Sequence, residues 1–287
     1  MSATSQNVTP ATAITAPPRQ AVTLGSIVRS RRFAIGLSVV TLIALWQIIV
    51  PFLPTLLIPE PTKVAQFMWN EILGRTLAPQ TIYQAFGVSL LRLFIGLGLA
   101  ILIGVPIGLL IGLFKWADAS LDDFVVVGLA MPSLVWALLA GMWWGLGNKP
   151  TIIVVILASV TFIILNVAEG VRDVPKTLKD MGSAYGVPSL RITRHVVFPS
   201  LAPFFFAALR YGLANGWKGL VLAEVYCGVD GAGWMIRYWY DAHRAQGVIG
   251  YAFFFAIFAL VVEKLIFGKI SAYVFRWRAK TAYRAAK

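Results

Sequence analysis

The chain has 287 residues, of which 59% are hydrophobic and 13% charged, whereas soluble domains average about 45–50% apolar and about 25% charged. That excess excludes a single water-surrounded core and leaves an integral helical membrane protein as the expected class. The formal net charge of +13 does not signal nucleic acid, because no basic helix stands apart from the apolar runs, and the single Cys227 excludes an intrachain disulfide or a cysteine metal cluster.

Residues 1–24 are rich in Ser, Thr, Ala, Pro and Gln, and Arg19 is their only charged side chain. This composition predicts a disordered tail rather than a signal peptide, since it lacks an apolar core. Six apolar segments follow, at about Phe33–Leu53, Ala85–Phe114, Phe124–Leu146, Thr151–Val167, Phe198–Val225 and Val248–Phe267. Each approaches or exceeds the roughly 20 residues that a helix needs to cross about 30 Å of hydrocarbon. The second is longer than needed, and Pro106 is a candidate kink within it. It also carries Gly104, Gly108 and Gly112 at four-residue spacing, a smooth face on which another helix can pack closely in lipid.

The basic residues orient the chain. With the amino terminus inside, 17 of the 25 Lys and Arg fall on the cytoplasmic side and 5 outside, while Arg92, Arg210 and Lys218 lie within apolar segments. This asymmetry predicts that both termini are cytoplasmic. Residues 25–280 then form the transmembrane domain, and 281–287 a cytoplasmic basic tail.

Between the fourth and fifth segments lies a loop, Ala168 to Val197, too long for a simple connector. Pro175 is expected in the first turn of a short helix over about Lys176 to Val187, which Gly186 ends, followed by Pro188. A short helix lying along the cytoplasmic surface is a docking shape.

This loop resembles that of binding-protein-dependent ABC importer permeases, written Glu-Ala-Ala, three residues, Gly, nine residues, Ile-x-Leu-Pro. Here Asp180, Met181 and Gly182 stand first, then Gly186, then Val196, Phe198 and Pro199, without a gap in spacing. Asp replaces Glu, Met-Gly replaces Ala-Ala, Val replaces Ile and Phe replaces Leu; Gly186 and Pro199 are kept. Roughly residues 33–280 resemble the branch serving nitrate, bicarbonate, taurine and aliphatic sulfonates. The similar stretches are Gly104–Gly112, Pro132–Gly145, Ala208–Glu224, and Glu263 with Trp277. Leu138 stands where that branch often has a second proline, and Lys218 follows Trp217 where an apolar residue is usual.

The resemblance implies an all-α integral membrane protein of about six transmembrane helices with a cytoplasmic coupling helix, like a type I ABC importer permease. It implies a non-catalytic, multi-pass subunit of a bacterial inner membrane that forms half of the substrate pathway. The expected partners are a second permease copy, the same chain in the simplest isologous closure, two ATPase subunits and an extracytoplasmic substrate-binding protein. The chain has no GxxxxGK[ST] cradle, so ATP and Mg are expected on the separate ATPase and no cofactor in this chain. Asp180, Met181, Gly182, Ala184, Tyr185, Gly186 and Pro199 are the expected coupling residues, with Asp180 meeting a basic patch of the ATPase.

Lys218, Arg210, Trp217 and Trp136 are the substrate-pathway candidates. A basic side chain within hydrocarbon costs about 2.5–3.5 kcal/mol on insertion scales, so each needs a partner or a wet path. Lys218, roughly 28 Å beyond Pro199 along a helix, either attracts an anionic substrate, pairs with an acid such as Glu224, or snorkels outward. For Arg210 a structural hydrogen-bonding role is favoured, and Arg92 is placed near the outer surface. Trp143, Trp144, Trp234, Tyr238, Trp239 and Tyr240 suit a membrane-interface belt or an aromatic-lined route, and Arg237 with Asp241 supports a short outer helix. The alternatives to an ATP-driven importer are a secondary transporter or channel, which calls for repeats and interrupted helices, and a membrane-embedded enzyme, which calls for clustered His, Asp or Glu.

Overall fold

A computed structural model describes residues 31–52 and 58–269 of the chain. The expected tails at 1–24 and 281–287, and Trp277, lie outside them. Helix α1 (Arg31–Ile49) continues into a 3-10 turn, Val50–Phe52. Short α2 (Pro61–Ile72) leads to the long α3 (Ile82–Leu113), followed by α4 (Lys115–Ala130) and α5 (Ser133–Trp144). Helix α6 (Asn148–Arg172) precedes the loop helix α7 (Lys176–Ala184). Then come α8 (Ser189–Ser200), α9 (Ala202–Cys227), short α10 (Ala232–Asp241) and α11 (Ala245–Leu265).

Among the described residues, four helices are long and apolar enough to span a membrane: α1 with its turn, α3, α6 and α11. Two bent pairs bring the number to six if each counts as one span. The third apolar segment, expected to be continuous, is instead broken between α4 and α5 by a 96° bend. Its cause is local: Pro132 drives the preceding Met131 to an extended conformation (ψ 122°). The fifth segment bends by 57° between α8 and α9, where Pro203 lies in the first turn of α9 and has no N–H to donate. Pro106, the expected kink, lies inside α3 without dividing it. The fourth segment is longer than expected, since α6 has 25 residues.

Helix α6 is the centre of the bundle. On one side it packs parallel to α3. A Cβ added at Gly104 would lie 2.9 Å from Ile163 Cγ2, at Gly108 2.8 Å from Val167 Cβ, and at Gly112 2.5 Å from Val171 Cβ. Gly96 faces Val155 in the same register, so a ridge of β-branched side chains rests on a smooth glycine groove. On its other side α6 meets α9 in antiparallel fashion. Gly212 faces Ile163, Gly216 faces Ser159, and Gly219 faces Ala158. Ser159 Oγ donates to the Gly212 carbonyl (2.9 Å). In lipid, close backbone approach and such interhelical hydrogen bonds hold helices together, because leaving the acyl chains yields no hydrophobic gain. Helix α1 is different: only 6% of its apolar window is buried, as expected for a helix with lipid as its solvent.

The bundle has two distinct ends. One holds the α3–α4 turn, the end of α6 and the basic loop with α7. There Arg172 bridges Asp118 and Asp122 of α4 and Glu169 of α6. The other end holds α2, α10 and the turn between α5 and α6, where the Gly147 N–H reaches the Cys227 carbonyl (2.7 Å) with φ at +120°.

Candidate functional site

The loop helix is built to stand out from the bundle. It begins after Pro175, which lies one place before the first helical residue rather than in the first turn. It ends sooner than expected, at Ala184, with Tyr185 as its cap. Gly186 then takes φ +67°, a left-handed conformation that costs a residue with Cβ roughly 1–2 kcal/mol. The N–H of Gly186 bonds to the Ser183 carbonyl (2.9 Å) and that of Val187 to the Gly182 carbonyl (3.0 Å). These two bonds form a Schellman motif, which sets the direction in which the chain leaves α7. Gly182 lies against α8: a Cβ there would come within 2.9 Å of Ile192 Cδ1.

The rest of α7 faces away. Leu178, Met181 and Tyr185 are 42%, 56% and 82% exposed, and their spacing places them along one face. Asp180 and Ala184 are also exposed, as are Gly186 and Pro199. Three large apolar side chains are thus aligned on an exposed helix face.

The intramembrane charges are arranged otherwise. Arg92 is buried, toward the end of the bundle that holds α10 and the α5–α6 turn. Its Nη1 donates to Glu224 Oε1 (2.9 Å) and to the Asp230 carbonyl (2.9 Å), its Nε to Asn148 Oδ1 (2.8 Å), and its Nη2 to Asn148 and the Asp230 carboxylate. Glu224 is fully buried and accepts from Ser89 Oγ (2.7 Å) and the Gly233 N–H (2.9 Å). One network thus joins α3, the start of α6, the end of α9 and the start of α10. Pairing and complete hydrogen bonding offset the desolvation that would otherwise make these charges costly. Glu224 is therefore engaged by Arg92, and the expected alternative of a Lys218–Glu224 pair does not form.

Lys218 is exposed on α9 and makes no ion pair among the described residues. Arg210 forms an ion pair with Glu263 of the last helical segment. Trp217 is not on an open route. It is 6% exposed, its ring centroid 4.2 Å from Phe258 and 5.1 Å from Phe255, so its place is core packing. Trp136 is half-buried on α5, beside Ala137, Ala140 and Ala223, and its Nε1 has no hydrogen-bond partner among the described residues. The outer aromatics do not form one belt: Trp239 is buried and Tyr240 is exposed. Arg237 and Asp241 approach to 3.6 Å on α10.

Asn148, Asp230 and Ser89 escaped sequence reasoning. Asn148 and Asp230 lie outside the apolar segments, at the ends of two that meet Arg92 in space. Matching the depths of the segment ends on that side was the available signal.

A family model described as the binding-protein-dependent transport system inner membrane component matches residues 104–276, more than half of the chain. The chain belongs to this family. It is 26% identical over 210 residues to the taurine transport system permease protein TauC of Escherichia coli (strain K12), covering 73% of this chain and 76% of that one. It is 24% identical over 235 residues to the nitrate import permease protein NrtB of Synechocystis sp., covering 80% and 85%. Its fold is similar to a chain of the MetNI methionine ABC transporter solved in an inward-facing conformation, with a TM-score of 0.57, 18% identity, and 73% and 98% coverage.

The protein is accordingly a multi-pass, all-helical permease subunit of a binding-protein-dependent ABC importer, of the type I importer fold. It is a non-catalytic component. A partner ATPase binds the ATP, and a binding protein delivers the solute. The secondary transporter, channel and membrane-enzyme alternatives are set aside by this membership.

Proposed function

We propose that the chain forms half of the pathway of an inward transporter for a small anionic solute and couples to its ATPase through α7. The observation that carries the coupling assignment is the exposed ridge of Leu178, Met181 and Tyr185 beside Asp180, on a helix whose exit is fixed by the Gly186 cap. An apolar ridge fits a cleft on another subunit, and the Asp180 carboxylate adds a charged hydrogen-bond acceptor at its side. Closure of two ATPase subunits around ATP would move two such helices together and turn the permease halves between their two access states. The second half would be another copy of this chain, related by a twofold axis. Both termini lie in the cytoplasm, on the reading that puts the basic loop inside.

The solute class rests on the relatives, named for taurine, nitrate, bicarbonate and aliphatic sulfonates. Each of these carries a negatively charged group. Lys218 supports this reading as an exposed cation without an ion pair on a core helix, whereas Arg210 is engaged by Glu263 and is assigned to holding α9 and α11 together. Uptake of nitrate and of taurine into proteoliposomes holding the assembled Lys218→Met complex tests the assignment. At least one is expected to fall by about tenfold, the equivalent of one lost charged contact. Unchanged uptake of the transported solute with intact assembly would remove Lys218 from the pathway.

A further inference from the structure

At the end of the bundle opposite the basic loop, α2, the segment after it, and the α10–α11 turn enclose a cavity of about 370 Å³. That is within the size range of small-molecule sites. Its wall carries charges of both signs that do not satisfy one another. Lys63 is committed: its Nζ donates to Glu60 Oε1 (2.8 Å), which holds the Glu60 carboxyl below the usual carboxylate range. Arg75 and Arg244 also line the cavity, are exposed, and make no ion pair among the described residues.

Glu71 lines the same cavity yet is only 2% exposed. Its Oε2 accepts from the Tyr251 hydroxyl (3.1 Å), and no cation pairs with it among the described residues. Arg75 follows Glu71 by the four-residue spacing at which helical ion pairs form. The helix ends at Ile72, however, and the chain turns through Gly74 at φ +72°, so the pair is never made. A buried carboxylate without a cation is unfavourable, and here it shares a cavity with two guanidiniums that lack a carboxylate. Phe67 and Trp239, edge to face at 5.2 Å, give the cavity an apolar wall.

We infer that this cavity is a binding site for a small zwitterion, its carboxylate or sulfonate taken by Arg75 and Arg244, its ammonium by Glu71, and its short hydrocarbon spacer by Phe67 and Trp239. Guanidinium groups suit planar or trigonal oxyanions, and an ammonium at Glu71 supplies the missing counter-charge. No described residue of α9 lines the cavity, so the site is separate from Lys218.

The test is calorimetric titration of the full permease–ATPase complex in nanodiscs, without a binding protein. The probes are β-alanine, propionate, which lacks the ammonium, and propylammonium, which lacks the acid. β-Alanine is expected to bind saturably at one site per chain, at least about tenfold more tightly than either half-probe. Arg244→Gln and Arg75→Gln, both at exposed positions, should each weaken it by about tenfold, and Glu71→Gln should abolish the preference over propionate. Arg237→Gln, an exposed α10 position that does not line the cavity, should leave the titration unchanged. β-Alanine binding no tighter than propionate, binding indifferent to both arginine substitutions, or loss of binding in Arg237→Gln would each overturn the inference.

Discussion

Around Arg92 the charged side chains find their partners within the chain: Glu224, Asp230 and Asn148 meet the guanidinium, and Ser89 and Gly233 complete the Glu224 carboxylate. On α7 the reverse holds, for Leu178, Met181 and Tyr185 stay largely exposed among the described residues. The two regions show two uses of side chains that look equally anomalous in sequence. Charges in an apolar span are explained from within when the fold brings their counter-charges to the same depth. Apolar side chains on a short, water-facing helix find no such internal explanation, and they direct attention to another subunit.

The contrast can be broken from its buried side first. Arg92→Leu leaves Glu224 and Asp230 without their cation and is expected to cost about 3–5 kcal/mol. Denaturant or thermal unfolding in detergent would register this as the largest loss among the substitutions considered. A change under about 1 kcal/mol would mean that the network contributes little. Next in size is Gly108→Leu, which drives a side chain into Val167 and the Ile164 carbonyl and is expected to cost about 1–3 kcal/mol through overpacking. The same assay reads it, and Gly98→Leu, where a Cβ meets nothing within 4 Å, is the matched control expected to be neutral.

The exposed side predicts a different pattern. Met181→Ser and Tyr185→Ser remove apolar surface from α7 without touching the bundle, so stability should change by less than about 0.5 kcal/mol. Binding of the ATPase, measured by titration against the purified permease, should weaken by about tenfold for Tyr185→Ser. Equal affinity would show that the ridge is not the contact.

The membrane-spanning character and the glycine face of α3 were legible in the sequence because both are periodic, local signals. Gly104, Gly108 and Gly112 announce a packing face, and the structure adds that the partner is α6. The docking-like loop was legible from Pro175 and Gly186, since helix ends are written in single residues. The breaks at Met131–Pro132 and Leu201 were not, because hydropathy stays high through both bends and a window average does not register direction. The Arg92 network was hidden for another reason. Its members come from four elements remote in sequence, and no local pattern records that Asn148 and Asp230 meet at one depth. Trp217, named with Lys218 as a pathway candidate, packs against Phe255 and Phe258. On a helix, neighbours in sequence point about 100° apart, and Trp217 turns into the aromatic core.

The coupling assignment is the central claim, and Gly186 tests it most directly. A Cβ added there would meet nothing within 4 Å, yet its φ of +67° fixes the cap of α7. In reconstituted complexes, Gly186→Val should insert and assemble normally in the membrane but lose solute- and binding-protein-stimulated ATP hydrolysis, while the basal rate of the ATPase subunits persists. Normal stimulation by the Gly186→Val complex would contradict the assignment of α7 as the element that couples this permease to its ATPase.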